Sequence, residues 1–343
     1  MYRRWGKRTG LALIALALCV RILSGAMVKN LREKVVEAMK SPGFFRLVLA
    51  LSTWEEPPEA EDTSLSAGDR LWVLHQLDAP GEETPTPVLP LTTPLTAAEA
   101  NAIKIAGACT YTVDKSALML KATPLTKAEG PTVLIVHTHT SEAYTQTAGF
   151  FYEEREPLRT GDTAQSVVRV GEEIATALQE RGISVLHDQS CNDYPDYNGS
   201  YTRTGKKIAQ WLEEYPSIQV VLDVHRDALE NADGSILRLV HTLSDGTAAA
   251  PLMLVVGTNQ GGTNHPGWQD NLSWALKLQA LLEREEPGLC RNLDLRTERF
   301  NQHYTPKSLI VEVGSTGNIL PEALRSARLL GESLADLIEM SYV

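Results

Sequence analysis

Short apolar runs alternate with longer amphipathic segments beyond residue 131 of the chain. Five runs rich in Val, Ile and Leu have the length of strands, and they lie at residues 133–136, 183–186, 220–222, 252–256 and 309–311. Apolar residues recur at helical spacing in four further segments, at residues 167–178, 208–215, 271–285 and 322–338. This alternation predicts a single α/β domain over residues 131–343, with a mostly parallel, twisted sheet flanked by helices.

The N-terminus has a different pattern, in which basic residues precede an apolar run. Four basic residues lie within positions 3–8, and the clean apolar run covers residues 11–20. Its length fits a cleaved secretory signal, whereas a longer span over residues 10–28 fits an uncleaved membrane anchor, which we favour. In both cases the basic flank stays inside, and the rest of the chain is expected to be exported.

Residues 29–100 separate this segment from the domain. An apolar cluster at residues 44–51 is too short for a second membrane span, and we assign it to a juxtamembrane segment. Pro, Thr and Glu dominate residues 55–100, which predicts a flexible, semi-extended spacer that buries too little apolar surface to fold. Residues 101–130 are expected to form a short β lead-in, based on the runs at 102–108 and 116–121.

Charge and cysteine content exclude several classes of function. The 43 acidic and 32 basic residues give a formal net charge of −11. Such a field repels nucleic acid, so no nucleic-acid partner is expected. The four cysteines include no CxxC pair, which argues against a disulfide framework and against a zinc ion held by cysteine.

Polar side chains follow or interrupt three of the predicted strands. His137, His139 and Glu142 come directly after the first strand, His225 follows the third, and Glu312 lies in the last. Ligands of α/β sheets collect at the carboxyl ends of the strands, so we expect these side chains to form one site.

Two imidazoles and one carboxylate are a common ligand set for a catalytic zinc ion, with a fourth position left for water. His137, Glu142 and His225 supply this set, and Glu312 is left as the general base on the water. His139 is an alternative first ligand, because residues 137 and 139 of an extended strand point the same way. We favour His137, and expect His139 to support the metal site or to contact the substrate.

A polar and aromatic loop at residues 193–204 lies between a predicted strand and a predicted helix. Pro195 and Asn198-Gly199 explain the loop as a series of turns. The loop can equally form a rim that stacks on a polar substrate, with Arg203 as the partner of a substrate carboxylate. Both interpretations stay open from the sequence.

Several stretches in order resemble the stage II sporulation protein P family, among them VLIVHTHTSEAY, PSIQVVLDVHRDAL and RFNQHYTPKSLIVEVGSTGN. That family belongs with the zinc N-acetylmuramoyl-L-alanine amidases, so the resemblance implies an amidase-like fold. It also implies that the group's metal ligands and catalytic glutamate fall on His137, Glu142, His225 and Glu312. Asn318, in the same segment as the catalytic glutamate, is expected to contact the substrate.

One position departs from the pattern of the wider amidase group. In that group the second metal ligand is a glutamate at the start of the first helix, whereas this chain has Ala164-Gln165-Ser166 there, with no acidic residue. Glu142, which lies earlier in the chain, is the substitute that the resemblance leaves.

The resemblance implies a function in the cell wall. It implies cleavage of peptidoglycan between N-acetylmuramic acid and L-alanine, and of peptide cross-links, by a Zn²⁺-dependent enzyme. It further implies a protein of the mother-cell membrane that acts around the engulfed forespore with stage II sporulation proteins D and M. Two other functions stay open: a zinc peptidase that cuts stem peptides only, through His139 and Glu142, and an inactive wall-binding module.

Overall fold

The computed structural model describes residues 93–343. The predicted membrane segment at residues 10–28, and the predicted spacer as far as residue 92, lie outside the described residues. In the part that is described, no helix combines the length and the apolar character needed to cross a membrane.

Residues 93–343 contain eleven strands and six α-helices. The strands are β1 (Ile105–Ala106), β2 (Val133–Val136), β3 (Glu154–Glu156), β4 (Arg159–Thr160), β5 (Val185–His187), β6 (Val220–Asp227), β7 (His241–Thr242), β8 (Ala248–Ala249), β9 (Leu252–Gly257), β10 (Leu293–Arg296) and β11 (Ser308–Ser315). The helices are α1 (Ala97–Ala102), α2 (Lys115–Leu120), α3 (Val167–Glu180), α4 (Ser200–Glu214), α5 (Trp268–Glu285) and α6 (Leu320–Ser341).

Seven of these strands form one sheet, in the order β1-β10-β9-β11-β6-β2-β5. Five neighbouring pairs are parallel, and the pair of β9 with β11 is antiparallel. The prediction of an α/β domain with a mostly parallel sheet is therefore confirmed. The antiparallel pair forms a seam: β11, β6, β2 and β5 run one way, and β9, β10 and β1 run the other way.

Helices cover the two faces of the sheet unequally. On the first face, which we call the core face, alternate strand residues pack against α3, α5 and α6, among them Ile135, Val224, Leu254, Leu295 and Val311. On the opposite face, α4 packs through Ile208 against Leu134, Val136 and Val221 of β2 and β6. The other five helices all contribute buried apolar residues to the core face. The opposite face is therefore left open from the end of β6 across β11, β9 and β10, and we call this region the open face.

Local signals explain where the helices begin and end. The hydroxyl of Ser166 accepts the backbone N–H of Val168 at 3.2 Å, which satisfies one of the free donors at the start of α3. After this helix, Gly182 takes a left-handed conformation with φ of 74°, which glycine adopts without a steric penalty. The apolar stripe of α3 then faces the core, as its spacing predicted.

The region before the sheet differs from the predicted β lead-in. Strand β1 is present, but the prediction of a strand at residues 116–121 is wrong, because most of them form helix α2. The Asp114 carboxylate caps α2 by accepting the N–H of Ala117 at 3.0 Å, and Leu118 is buried against the core. Helix α1 also begins before residue 101, within the stretch that was assigned to the spacer.

Candidate active site

A cavity of about 880 Å³ lies on the open face of the sheet. Strand residues that line it alternate with core residues, as the two faces of a pleated sheet require. They include Met253, Val255, His225, Asp294, Arg296, Ile310 and Glu312, and Ala106 of β1 and Arg226 and Asp227 at the end of β6 also line the cavity. Side chains from the loop after β2, from β4, and from α4 and the loop before it line the end of the cavity near β2, namely His139, Glu142, Arg159, Tyr197 and Tyr201.

His225 lies in this cavity between two buried carboxylates. Its Nδ1 is 3.4 Å from Oε2 of Glu142, and its Nε2 is 3.0 Å from Oδ1 of Asp223. The second contact is close but is not aligned as a hydrogen bond. Burial alone would lower the pKa of His225, but Asp223 and Glu142 hold that pKa well above its usual value. Two buried carboxylates require a cation between them, and here the imidazolium supplies it.

Asp223 lies two residues before His225, on the same face of β6. The backbone N–H and the hydroxyl of Thr138 donate to its two carboxylate oxygens, at 2.8 and 2.6 Å. Burial would raise the pKa of Asp223, but the charge of His225 and these hydrogen bonds hold it below its usual value. Asp223 therefore ties the loop after β2 to the strand that carries His225.

Arginine side chains and the backbone hold Glu142 in place. The backbone N–H of Arg226 donates to Glu142 Oε2 at 3.2 Å, and the guanidinium of Arg159 lies 3.5 Å from Oε1. The Arg226 guanidinium is itself buried and donates to two backbone carbonyls. Burial would raise the pKa of Glu142, but the hydrogen bond and charge of His225 lower it to about 2. Glu142 is therefore ionised across the physiological range.

His139 enters the cavity from the turn after β2. Its ring stacks on Tyr197, with centroids 4.5 Å apart, and the Tyr197 hydroxyl lies 3.0 Å from its Nε2. The ring centroid of His225 is 5.2 Å away. The Nδ1 of His139 is buried and has no hydrogen-bond partner among residues 93–343. Burial lowers the pKa of His139 to about 4, so its imidazole is neutral at neutral pH, which is the form that binds metals.

His137 does not line the cavity. Strand β2 ends at Val136 and residues 138–141 form a turn, so the alternation of an extended strand does not reach residue 139. The fully buried ring of His137 contacts the Val224 carbonyl through Nδ1 at 3.0 Å, and His187 through Nε2 at 2.8 Å. The prediction that His137 and His139 point the same way is therefore wrong. The structure brings His139, in place of His137, to His225 and Glu142.

Glu312 lies beside His225, since the two residues are partners in the parallel pair of β11 and β6. Its Oε2 is buried and has no hydrogen-bond partner in the described part of the chain. Burial raises the pKa of Glu312 to about 8, and the nearby Glu142 adds to the rise. A carboxyl group with such a pKa can both accept and donate a proton near neutral pH.

Two donors of the cavity, on His225 and Glu142, have the spacing of zinc ligands. Two ligands about 2.1 Å from a tetrahedral zinc ion lie roughly 3.4 Å apart, and the contact of His225 with Glu142 is 3.4 Å. His139 adds a neutral imidazole with an unpartnered buried nitrogen. No three His, Cys, Asp or Glu side chains in residues 93–343 are spaced as a complete metal site, and His139 is instead bonded to Tyr197.

Two predicted substrate contacts, Arg203 and Asn318, do not line the cavity. The Arg203 guanidinium donates to the backbone carbonyls of Asn192, Asp196 and Asn198, so it holds the loop before α4 and does not line the cavity. Asn318 is completely buried: Oδ1 accepts the N–H of Ser315 at 2.9 Å, and Nδ2 donates to carbonyl and carboxylate oxygens. Asn318 uses its polar groups inside the protein, which leaves none for a substrate. The Arg203 side chain is 39% exposed, and its contact with a substrate stays a prediction.

Sequence reasoning did not single out three residues that build the site, which are Asp223, Arg159 and Arg226. Asp223 could have been found, because it is a charged residue in an apolar strand and shares a face with His225 two positions later. Arg159 and Arg226 gave no such signal. The contacts that they make to the Glu142 loop depend on the tertiary fold.

The fold and the cavity together define an α/β protein with a site of histidines and carboxylates on an open sheet face. A model of the stage II sporulation protein P family matches residues 93–335, which is most of the chain, and the chain belongs to this family.

The chain is similar to stage II sporulation protein P of Bacillus subtilis (strain 168), with 24% identity over 227 residues. That match covers 62% of this chain and 52% of the relative, so the chain spans about half the relative's length. Among solved structures, it is similar to N-acetylmuramoyl-L-alanine amidase AmiC2 of Nostoc punctiforme, with 12% identity, a TM-score of 0.34, and coverage of 62% of this chain and 98% of that chain. The apo form of the N-acetylmuramyl-L-alanine amidase Ami1 from Mycobacterium abscessus gives 11% identity, a TM-score of 0.36, and coverage of 63% and 99%. A shared fold does not follow from TM-scores of this size.

Proposed function

We propose that this protein is a zinc-dependent peptidoglycan hydrolase that cleaves the amide bond between N-acetylmuramic acid and L-alanine. The observation that carries the proposal is the meeting of His139, Glu142, His225 and Glu312 in one cavity on the open face. The residues are those that hydrolysis of an amide requires: neutral or ionised metal ligands beside a carboxyl group that can exchange a proton. Membership of the sporulation family supports the cell wall as the substrate.

His139, Glu142 and His225 would hold the zinc ion. When bound, the metal would supply Lewis acidity to a carbonyl oxygen and would favour ionisation of water. Its positive charge would also take over the role of the imidazolium, since it would compensate Glu142 and Asp223 while His225 becomes neutral.

Glu312 would move the proton in the reaction. Its free Oε2 would accept a proton from the attacking water and then donate it to the nitrogen of the leaving L-alanine. The pKa of about 8 that burial gives this carboxyl allows it both to accept and to donate a proton near neutral pH.

The cellular setting belongs to the same proposal. We expect the protein to be anchored by its N-terminal segment, to act outside the cytoplasm around the engulfed forespore, and to work with stage II sporulation proteins D and M. Peptide cross-links between stems are a second expected substrate of the same cavity.

Digestion of purified peptidoglycan by the purified full-length chain tests the proposal. We expect about one zinc ion per chain and release of stem peptides that leaves free lactyl groups on muramic acid. Glu312→Gln should keep the zinc ion and lose at least about a hundredfold in rate, which is the usual contribution of a positioned acid–base group. His225→Ala should lose the metal.

The exposed Glu172 on α3 provides a matched control, since Glu172→Gln makes the same chemical change far from the cavity. New amino termini within the stem peptides, without free lactyl groups, would favour the peptidase. Zinc-free protein that leaves the wall intact would favour the wall-binding module, and normal cleavage by Glu312→Gln would remove Glu312 from the mechanism.

A further inference from the structure

The two ends of the cavity differ in chemistry. His225 on β6 and Glu312 on β11 lie on neighbouring strands near the middle of the sheet. A substrate whose cleaved bond lies at these two residues must therefore extend toward both ends of the cavity. Toward β2, the cavity is lined by the rings of Tyr197 and Tyr201. Toward β10, it is lined by Arg291, Asn292 and Arg296.

The two arginines at the β2 end are already engaged. The Arg159 guanidinium contacts Asp193 at 3.0 Å and Glu142 at 3.5 Å, and its side chain is only 17% exposed. The Arg226 side chain is 4% exposed, and its guanidinium donates to backbone carbonyls. Neither guanidinium is free to bind a charged group of a substrate.

The guanidiniums at the β10 end are more accessible. The Arg296 side chain is 41% exposed, and its contacts with Asp294 and Glu298 are long, at 3.6 and 3.3 Å. Arg291 is 25% exposed and bonds Asp227 at 2.7 Å through Nη1. Asp227 and Asp294 also line this end, so it carries charges of both signs.

Phe300 supports the placement of Arg296. Its ring lies 6.0 Å from the Arg296 guanidinium, which is within the range of a cation–π contact, and it lies 5.5 Å from the Tyr201 ring. Phe300 has a φ of 53°, and bulky residues rarely adopt this left-handed conformation. Such strained conformations persist where surrounding contacts require them, and they concentrate at binding sites.

We propose that Arg296, at the end of the cavity that Asn292 also lines, binds a carboxylate of the stem peptide, while Arg291 stays paired with Asp227. The muramic acid sugar then lies over Tyr197 and Tyr201, whose rings suit an uncharged ring. This inference rests on the proposed function, because it assigns the two sides of the bond that the enzyme cleaves. Planar guanidinium groups recognise carboxylates through paired N–H donors, which gives the peptide its direction in the cavity.

Two synthetic substrates test the assignment: an N-acetylmuramoyl stem peptide with free carboxylates, and the same compound with those carboxylates converted to amides. The zinc-loaded full-length chain should cleave the free acid with a kcat/KM about tenfold higher, mainly through a lower KM. Arg296→Gln should lose about tenfold on the free acid and little on the amide, so that the preference disappears. Arg296→Lys keeps the positive charge but loses the paired N–H donors of the guanidinium, so it should retain part of the preference for the free acid.

Arg169 on α3 is the matched control, because its partners are Glu172 and Glu173 on the same helix and it does not line the cavity. Arg169→Gln should retain the preference of the wild type. Equal loss on both substrates in Arg296→Gln, or a wild type that does not distinguish them, would overturn the assignment.

A binding measurement separates this inference from the proposed function. The stem peptide alone, without the sugar, should bind the wild-type chain more tightly than its amide, and Arg296→Gln should remove this difference in calorimetry. If the wild type cleaves no substrate but still binds the free acid selectively, the proposed reaction fails and the carboxylate site stands. If cleavage occurs and the peptide acid and amide bind equally, the carboxylate site fails alone.

Discussion

The pair His137 and His139 provides the sharpest test of the metal site, because the two residues are close in sequence but lie on different faces of the sheet. His137→Ala removes a fully buried ring and leaves the Val224 carbonyl and His187 without their partner. Loss of buried volume and of a buried hydrogen bond together should cost about 2–4 kcal/mol of unfolding free energy. His139→Ala removes a ring that lines the cavity and stacks on Tyr197, which should cost only about 1 kcal/mol.

Metal content and stability must be measured separately, because bound zinc itself stabilises the folded state. Thermal unfolding in a chelator compares the metal-free proteins, and for a domain of this size about 2–4 °C corresponds to each kcal/mol. His137→Ala should therefore melt roughly 5–15 °C below wild type but bind about one zinc ion when folded at low temperature. His139→Ala should melt within a few degrees of wild type and bind zinc poorly. A His137→Ala protein with wild-type stability and no zinc would refute the assignment of His139.

Three further predictions follow from individual contacts. Asp223→Asn should weaken zinc binding by about 10- to 100-fold in a chelator competition, because a carboxylate that contacts a metal-binding histidine orients its ring. Asp188→Asn is the control: this buried aspartate accepts a hydrogen bond from Trp211, and its loss should leave zinc binding unchanged. Gly171→Ala should lower the unfolding free energy by about 1–3 kcal/mol in denaturant titrations, since the new methyl carbon would lie 2.7 Å from the His137 ring. Burial lowers the pKa of Lys277 to about 8, so between that pH and about 10.4 the unfolded chain binds more protons, and stability should rise with pH there. This rise should be smaller in Lys277→Met, and an unchanged pH profile would contradict the shift.

The sequence predicted those parts of the fold that depend on local periodicity. The strands at β2, β6, β9 and β11 and the helices at α3, α5 and α6 all follow from the spacing of apolar residues. Strand β10 was not predicted, because it is only four residues long and contains just two apolar residues, Leu293 and Leu295. The antiparallel pairing of β9 with β11 could not be predicted from the sequence either, since strand direction depends on how α5 and β10 return the chain to the sheet.

The site was predictable only as far as the strands extend. His225 and Glu312 lie inside β6 and β11, where the two-residue alternation fixes the face of each side chain. His137 and His139 lie just beyond the end of β2, where a turn begins and that rule no longer applies. The choice between the two histidines required the path of the turn, which depends on the hydrogen bonds from Thr138 to Asp223 and from Ser141 to Asp193.

The open face explains why chemistry is located at this part of the sheet. A sheet face without a covering helix exposes its side chains, and on the core face the same strands present almost only Val, Leu and Ile. On the open face they present Glu312, Asp294 and Arg296, together with Met253 and Val255 on the cavity floor. A sheet that needed cover on this face for stability would carry apolar residues there and a helix above them. The polar alternation therefore indicates a face that meets water and a polar ligand. It follows that a helix inserted over β9 and β10 would close the end of the cavity that we assign to the stem peptide.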